Sequence, residues 1–156
     1  MRVVGVDLGR RRIGLALSDR SETLATPWRT VRGAGSVLEV ADRLVALLTE
    51  LGDDDDGIAG IVVGLPLHLD GRPHEHAVRT RAIAAALERR TGLPVTLQDE
   101  RRTSVEAAQR LALRERDWLK RKERLEAAAA AIIVQDYLDA QLDARAVRRQ
   151  KAGDRS

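Results

Sequence analysis

Cysteine is absent from this 156-residue chain. That excludes a disulfide framework, a thiolate metal site and a cysteine nucleophile, and it permits a reducing compartment. Phenylalanine is absent too, and Trp28, Trp118 and Tyr137 are the aromatic residues, too few rings for a base-stacking platform that holds single-stranded nucleic acid. No apolar run approaches the roughly 20 residues that span a bilayer, and the first residues lack the apolar stretch of a secretion signal. The expectation is a soluble, cytoplasmic protein with no membrane partner. The length suits one domain, placed at 1–144, with 145–156 as a basic, disordered tail.

Charge is nearly balanced in sum, at a formal +3, but not in place. Acid concentrates in Asp53–Asp56, which reads as a solvated loop. Base concentrates in Arg10–Arg12, between Arg114 and Arg124, and from Arg145 to Arg155. Such clusters supply a phosphate-binding surface even at small net charge. With so few aromatics, any nucleic acid would be held mainly by its backbone.

The stretch from Val3 to Ser18 organises the rest. Val3–Leu8 and Ile13–Ser18 read as two strands joined by a tight turn, Gly9-Arg10-Arg11-Arg12, because aliphatic residues run nearly unbroken on either side of Gly and Arg punctuation. Asp7 stands inside the first apolar run. A carboxylate there is costly to bury unpaired, so it either accepts hydrogen bonds from the turn amides or anchors a metal or phosphate site. Gly9 and Gly14 favour the second reading, since glycine permits close approach.

A third strand follows over Leu24–Val31, with Pro27 confining it to an edge or a bulge. Ser36-Val37-Leu38-Glu39 has capping-box spacing and opens an amphipathic helix ending near Gly52. Ile58–Pro66 reads as a strand buried on both faces. Asp70-Gly71-Arg72-Pro73 is turn chemistry, Glu75–Arg90 a second helix, and Val95–Gln98 a fifth strand delivering Asp99-Glu100-Arg101 to its C-terminal end, where open α/β sheets place ligands. Thr103–Glu106 is a second capping box for a helix through Ala112. A basic loop is expected over Arg114–Arg124, then a last helix from Leu125 or Glu126, buried in its first half. The element order predicts an α/β fold: an antiparallel meander of three strands extended by parallel ones. The spacing of His68, Asp70, His74 and His76 is a weak metal signal in a turn-rich loop.

Four stretches in order carry a resemblance: Asp7-Leu8-Gly9 with Arg12–Ala16; Ile61–Pro66 with Asp70-Gly71; Asp99-Glu100-Arg101 with Thr103; and the Ala-rich run into Ile132–Leu138. Together they resemble the YqgF/RuvX family, RNase H-like proteins described as Holliday junction resolvase-like and as pre-16S ribosomal RNA nucleases. The resemblance covers roughly Val3 to Leu138. It implies an RNase H-like, five-stranded mixed sheet flanked by helices, and a metal-dependent hydrolase of phosphodiester bonds. The function it points to is 5′-end maturation of pre-16S ribosomal RNA in ribosome biogenesis.

The resemblance further implies catalytic, metal-binding carboxylates at Asp7, Glu100 and Glu126, holding Mg²⁺ or Mn²⁺. Glu126 stands where the family has aspartate, a departure that lengthens the side chain by one methylene. Asp136 is excluded from the same centre, since ten residues of helix separate it from Glu126 by about 15 Å. The ordinary alternative for Glu126 is an acid favoured at a helix N-terminus. Arg12 and Arg101 would bind substrate phosphate, given the bidentate fit of guanidinium to that group, although Arg101 has a salt bridge to Asp99 or Glu100 as its alternative.

The implied partner is nucleic acid, either a ribosomal RNA precursor or branched DNA, with a homodimer as the simplest way to cut a symmetric junction. Two other readings stand beside the nuclease: a non-catalytic nucleic-acid-binding or ribosome-assembly module, and the phosphate loop of actin-like nucleotide-binding proteins. The latter close two such domains around a nucleotide, and this length supplies one.

Overall fold

The computed structural model describes residues 1–52, 57–66, 75–99 and 118–154, with the backbone alone at 118–124. The elements are β1 (Arg2–Leu8), β2 (Arg12–Ser18), β3 (Ala25–Arg32), α1 (Val37–Gly52), β4 (Ile58–Leu65), α2 (Glu75–Thr91), β5 (Val95–Asp99) and α3 (Trp118–Gly153). The strands form one five-stranded sheet in the order β3-β2-β1-β4-β5. β1, β2 and β3 pair antiparallel, and β4 and β5 extend the sheet in parallel with β1. This is the mixed sheet that the element order predicts.

Strand alternation divides the sheet into two unlike faces. Val4, Val6, Leu8, Ile13, Leu15, Leu17, Ile61 and Val63 pack against α1 and α2 through Val40, Leu44, Leu48, Ile83 and Leu87. Full burial of each large aliphatic residue is worth about 1.5–3 kcal/mol, so this face supplies most of the core. The opposite face is built of small residues. Val3, Ala16 and Val62 meet Ala130, Ala131, Ile133, Val134 and Leu138 of α3, and a Cβ added at Gly5 would overlap the Val134 side chain and lie 3.0 Å from the Ala130 carbonyl oxygen. The missing side chains are what let α3 lie directly on the strands.

Pro27 sits on edge strand β3 at a register shift, where Leu15 pairs with Arg29 and Ala16 with Pro27, leaving Trp28 as the extra residue. Edge and bulge therefore coincide. At the start of α1 the Glu39 amide donates to Ser36 Oγ at 3.2 Å, the first half of the expected capping box. In the β2–β3 connection Asp19 Oδ1 accepts from the amides of Thr23 and Leu24, at 2.8 and 3.2 Å, and Oδ2 accepts from the hydroxyls of Ser21 and Thr23. Those bonds, the backbone ones above all, hold the Asp19 carboxyl well below the usual carboxylate range.

The structure corrects the reading of α3 at both ends. The helix starts at Trp118, within the stretch expected as a basic loop, and continues to Gly153, through the residues expected as a disordered tail from Arg145. Neither end has an apolar stripe, but Arg, Lys, Leu, Gln, Glu and Ala are all strong helix formers. The expected helix over Thr103–Ala112, the Asp70–Pro73 turn and the Asp53–Asp56 loop lie outside the described residues.

Candidate active site

The site is assembled around Gly14. In the β1–β2 ladder Asp7 lies directly opposite Gly14, and cross-strand partners project from the same face of the sheet. That face is the one covered by α3. A Cβ at Gly14 would fall inside the peptide group joining Glu126 to Ala127, so the helix backbone crosses the sheet at this glycine. The two acids expected from β1 and the last helix thus come to one place, Asp7 beside the glycine and Glu126 over it.

Glu126 is half-buried, and its Oε2 is buried without a hydrogen-bond partner among the described residues. It lies eight residues into α3, about 12 Å from the helix start, so the reading of Glu126 as a helix N-terminal acid does not hold. Arg12 lies two residues from Gly14 along β2 and therefore on the same face. It too is half-buried, and its Nη1 is a buried donor without a partner among the described residues. Glu126, whose backbone lies over Gly14, thus carries an orphan carboxylate oxygen, and Arg12, two residues along β2, an orphan guanidinium nitrogen among the described residues. An atom of either kind costs about 1–3 kcal/mol when left unsatisfied.

The turn that carries Arg12 is braced from behind. The Gly33 amide donates to the Arg11 carbonyl at 2.8 Å, and a Cβ on Gly33 would lie 2.7 Å from the Gly9 carbonyl oxygen. The Gly33–Gly35 segment is in turn held by Arg79 of α2, whose Nη2 donates to the carbonyls of Gly33 and Gly35 at 3.3 and 2.8 Å. Arg43 of α1 donates to those of Arg32 and Ala34 at 2.6 and 3.2 Å. Arg10, His76 and Arg79 line an open depression beside this segment.

Asp99 ends β5, paired with Leu65 at the end of β4. Two strand spacings separate β5 from β1, about 10 Å, and Asp7 and Asp99 both stand at the C-terminal end of the parallel strands. Glu100 and Arg101, which follow Asp99 in the chain, lie outside the described residues, as do His68, Asp70 and His74. Asp136 is exposed on α3, ten residues beyond Glu126. Among the described residues no group of three or more His, Cys, Asp or Glu side chains is placed to hold a metal ion.

Sequence reasoning missed Gln135. Its Oε1 accepts from the Ala25 amide and its Nε2 donates to the Thr23 carbonyl, each at 2.9 Å, so it ties the middle of α3 to the β2–β3 connection. The signal was a polar residue directly after the buried run Ala129 to Val134.

The sheet and its helices make an RNase H-like fold, with Asp7 near the end of the first strand and Glu126 on the helix that crosses it. The fold resembles that of Thermus thermophilus RuvC, solved in complex with a Holliday junction substrate. The TM-score is 0.56 at 19% identity, covering 91% of this chain and 96% of that one; a second structure of that RuvC gives 0.55 at 18% identity. Residues 1–140 match the family RuvX: Holliday junction resolvase, and the chain belongs to that family. A protein of Anaeromyxobacter sp. (strain Fw109-5) named "Putative pre-16S rRNA nuclease" is 43% identical over 141 residues, 89% of this chain and 97% of that protein. One of the same name from Rhodobacter capsulatus is 37% identical over 137 residues, 88% and 82% of the two chains.

Proposed function

We propose that this chain is a metal-dependent nuclease that hydrolyses phosphodiester bonds of a ribosomal RNA precursor, at the 5′ end of pre-16S RNA. The names of its relatives support the substrate. The observation that carries the chemistry is the pair of orphan groups around Gly14, Glu126 Oε2 and Arg12 Nη1. Among the described residues the first has no cation beside it and the second no anion, and a phosphodiester held beside a divalent ion would supply both.

The donor set fits a hard cation. Asp7 and Glu126 offer oxygen ligands alone, as Mg²⁺ and Mn²⁺ prefer, and Glu100 with Arg101 would complete the centre from the end of β5. A bound ion would supply Lewis acidity for activating water and for charge on the departing group. Arg12 would orient the phosphate by donating from a braced turn, and Asp7 and Glu126 would hold the ion. The same reading places the protein in the cytoplasm with assembling ribosomes. No helix among the described residues is long and apolar enough to cross a membrane. Cleavage of a symmetric four-way junction would instead call for a homodimer bringing two such centres together.

The test is incubation of an end-labelled RNA spanning the mature 5′ end of 16S RNA, and of a four-way DNA junction, with Mg²⁺, Mn²⁺ or EDTA. Cutting of the RNA at a defined site in the metal lanes and none in EDTA is the expected result. Preferential cutting of the junction would favour the resolvase reading, and salt-sensitive binding without cutting would leave a binding module.

A further inference from the structure

Beyond the sheet, α3 continues as an exposed arm. Leu138 is the last buried residue of the helix, and residues 139–153 are exposed throughout. The family match ends at residue 140. Up to that point the chain has 22 basic and 22 acidic residues, whereas 141–156 has five and two. The whole formal net charge of the protein therefore resides in this terminal segment.

The charge on the arm is also sorted by face. Arg145, Arg148 and Arg149 stand at i, i+3 and i+4, on the stripe that continues Val134 and Leu138, while Asp139, Asp143 and Asp154 fall on the other side. None of the three arginines has an acid three or four residues away: their neighbours at those spacings are Gln141, Leu142, Ala144, Arg145, Ala146, Arg148, Arg149, Lys151, Ala152 and Gly153. A helix shaped by solvation alone gains from opposite charges at these spacings and loses from like ones. Here the like charges are stacked on one face with no acid at helical spacing.

We infer that this face is a second contact for the nucleic-acid backbone, outside the cleavage centre. The inference rests on the nuclease reading for its choice of polyanion. Guanidinium groups suit phosphate, the arm has no aromatic residue to read bases, and Leu142 and Val147 are its only large apolar residues, too few to insert in a lipid surface. Arg145 lies nineteen residues from Glu126 along one continuous helix, about 28 Å. At about 3.4 Å per base step the contact falls roughly eight steps from the cut. The arm would thus favour long substrates over short ones without affecting the chemistry.

The test is binding of fluorescein-labelled RNA duplexes of about 24 and about 8 base pairs in EDTA, across a salt series, by the full chain and by R145Q/R148Q/R149Q. Gln keeps helix propensity, and circular dichroism checks that the arm remains folded. Loss of up to three phosphate contacts is expected to weaken the long duplex about tenfold and to flatten the log–log salt slope by up to about 2.7, with the short duplex unchanged within about twofold. Equal affinity and slope for variant and parent on the long duplex would overturn the inference. So would a variant that keeps its RNA affinity but loses binding to anionic phosphatidylserine vesicles or changes oligomeric state. A parent chain that binds neither duplex would count against the nuclease reading itself.

Discussion

Replacing Glu126 by methionine is expected to abolish cleavage while raising stability. The carboxylate Oε2 is buried without a partner among the described residues, a condition that costs about 1–3 kcal/mol, and methionine offers similar length and helix propensity with no polar atom to satisfy. A gain of about 1 kcal/mol would raise the melting temperature by roughly 2–4 °C in a chain of this size. On the proposed mechanism the substitution removes one oxygen ligand of the ion and gives up several kcal/mol of transition-state stabilisation, on the order of 10³-fold in rate. Stability and activity moving in opposite directions is the signature of a functional carboxylate. Glu126→Asp, which restores the family's residue but withdraws the carboxylate by a methylene, should retain part of the activity. Thermal melts and single-turnover cleavage of the same three proteins check this. A loss of stability in Glu126→Met would show that the carboxylate holds the fold together.

Gly14→Ala has the second large effect, on the fold and the site at once. The added methyl would occupy the space of the Glu126–Ala127 peptide, so α3 must lift from β2. Overpacking of this kind costs about 1–3 kcal/mol when side chains can yield, and here the obstacle is backbone, which places the expected loss at about 3 kcal/mol or more. The melting temperature should fall by roughly 6–12 °C. Cleavage should fall with it below the melting transition, because Glu126 is carried away from Asp7. Gly52→Ala is the control: at the end of α1 a Cβ would meet nothing within 4 Å, and its melt should match the parent within a few degrees.

The strands and the first two helices were legible because their apolar patterns have one simple cause. Val3–Val6 and Ile61–Leu65 are buried on both faces and read as continuous runs, and Val40, Leu44 and Leu48 repeat at helical spacing because one side of α1 is covered. The limits of α3 were not legible. Its charged ends bury no stripe, and periodicity detects burial rather than helicity. The expected convergence of Asp7 and Glu126 came with the family resemblance. The means of that convergence did not: nothing in the sequence distinguishes Gly14, which admits a helix backbone, from Gly9, whose Cβ would collide with the Arg12 carbonyl in its own turn. Gln135 looked like part of a helical motif, and its role depends on a connection 110 residues earlier in the chain.

The most direct test of the centre is a Mn²⁺ titration followed by electron paramagnetic resonance of the free ion, with the parent chain, Asp7→Asn and Glu126→Gln. Each substitution removes one anionic ligand while nearly preserving shape. If both residues hold the ion, each variant should weaken Mn²⁺ binding by about tenfold or more, the scale on which even supporting contacts to a metal act. Titration of Glu126→Gln along the parent's curve, with Asp7→Asn weakened, would remove Glu126 from the site and contradict the assembly of the centre around Gly14.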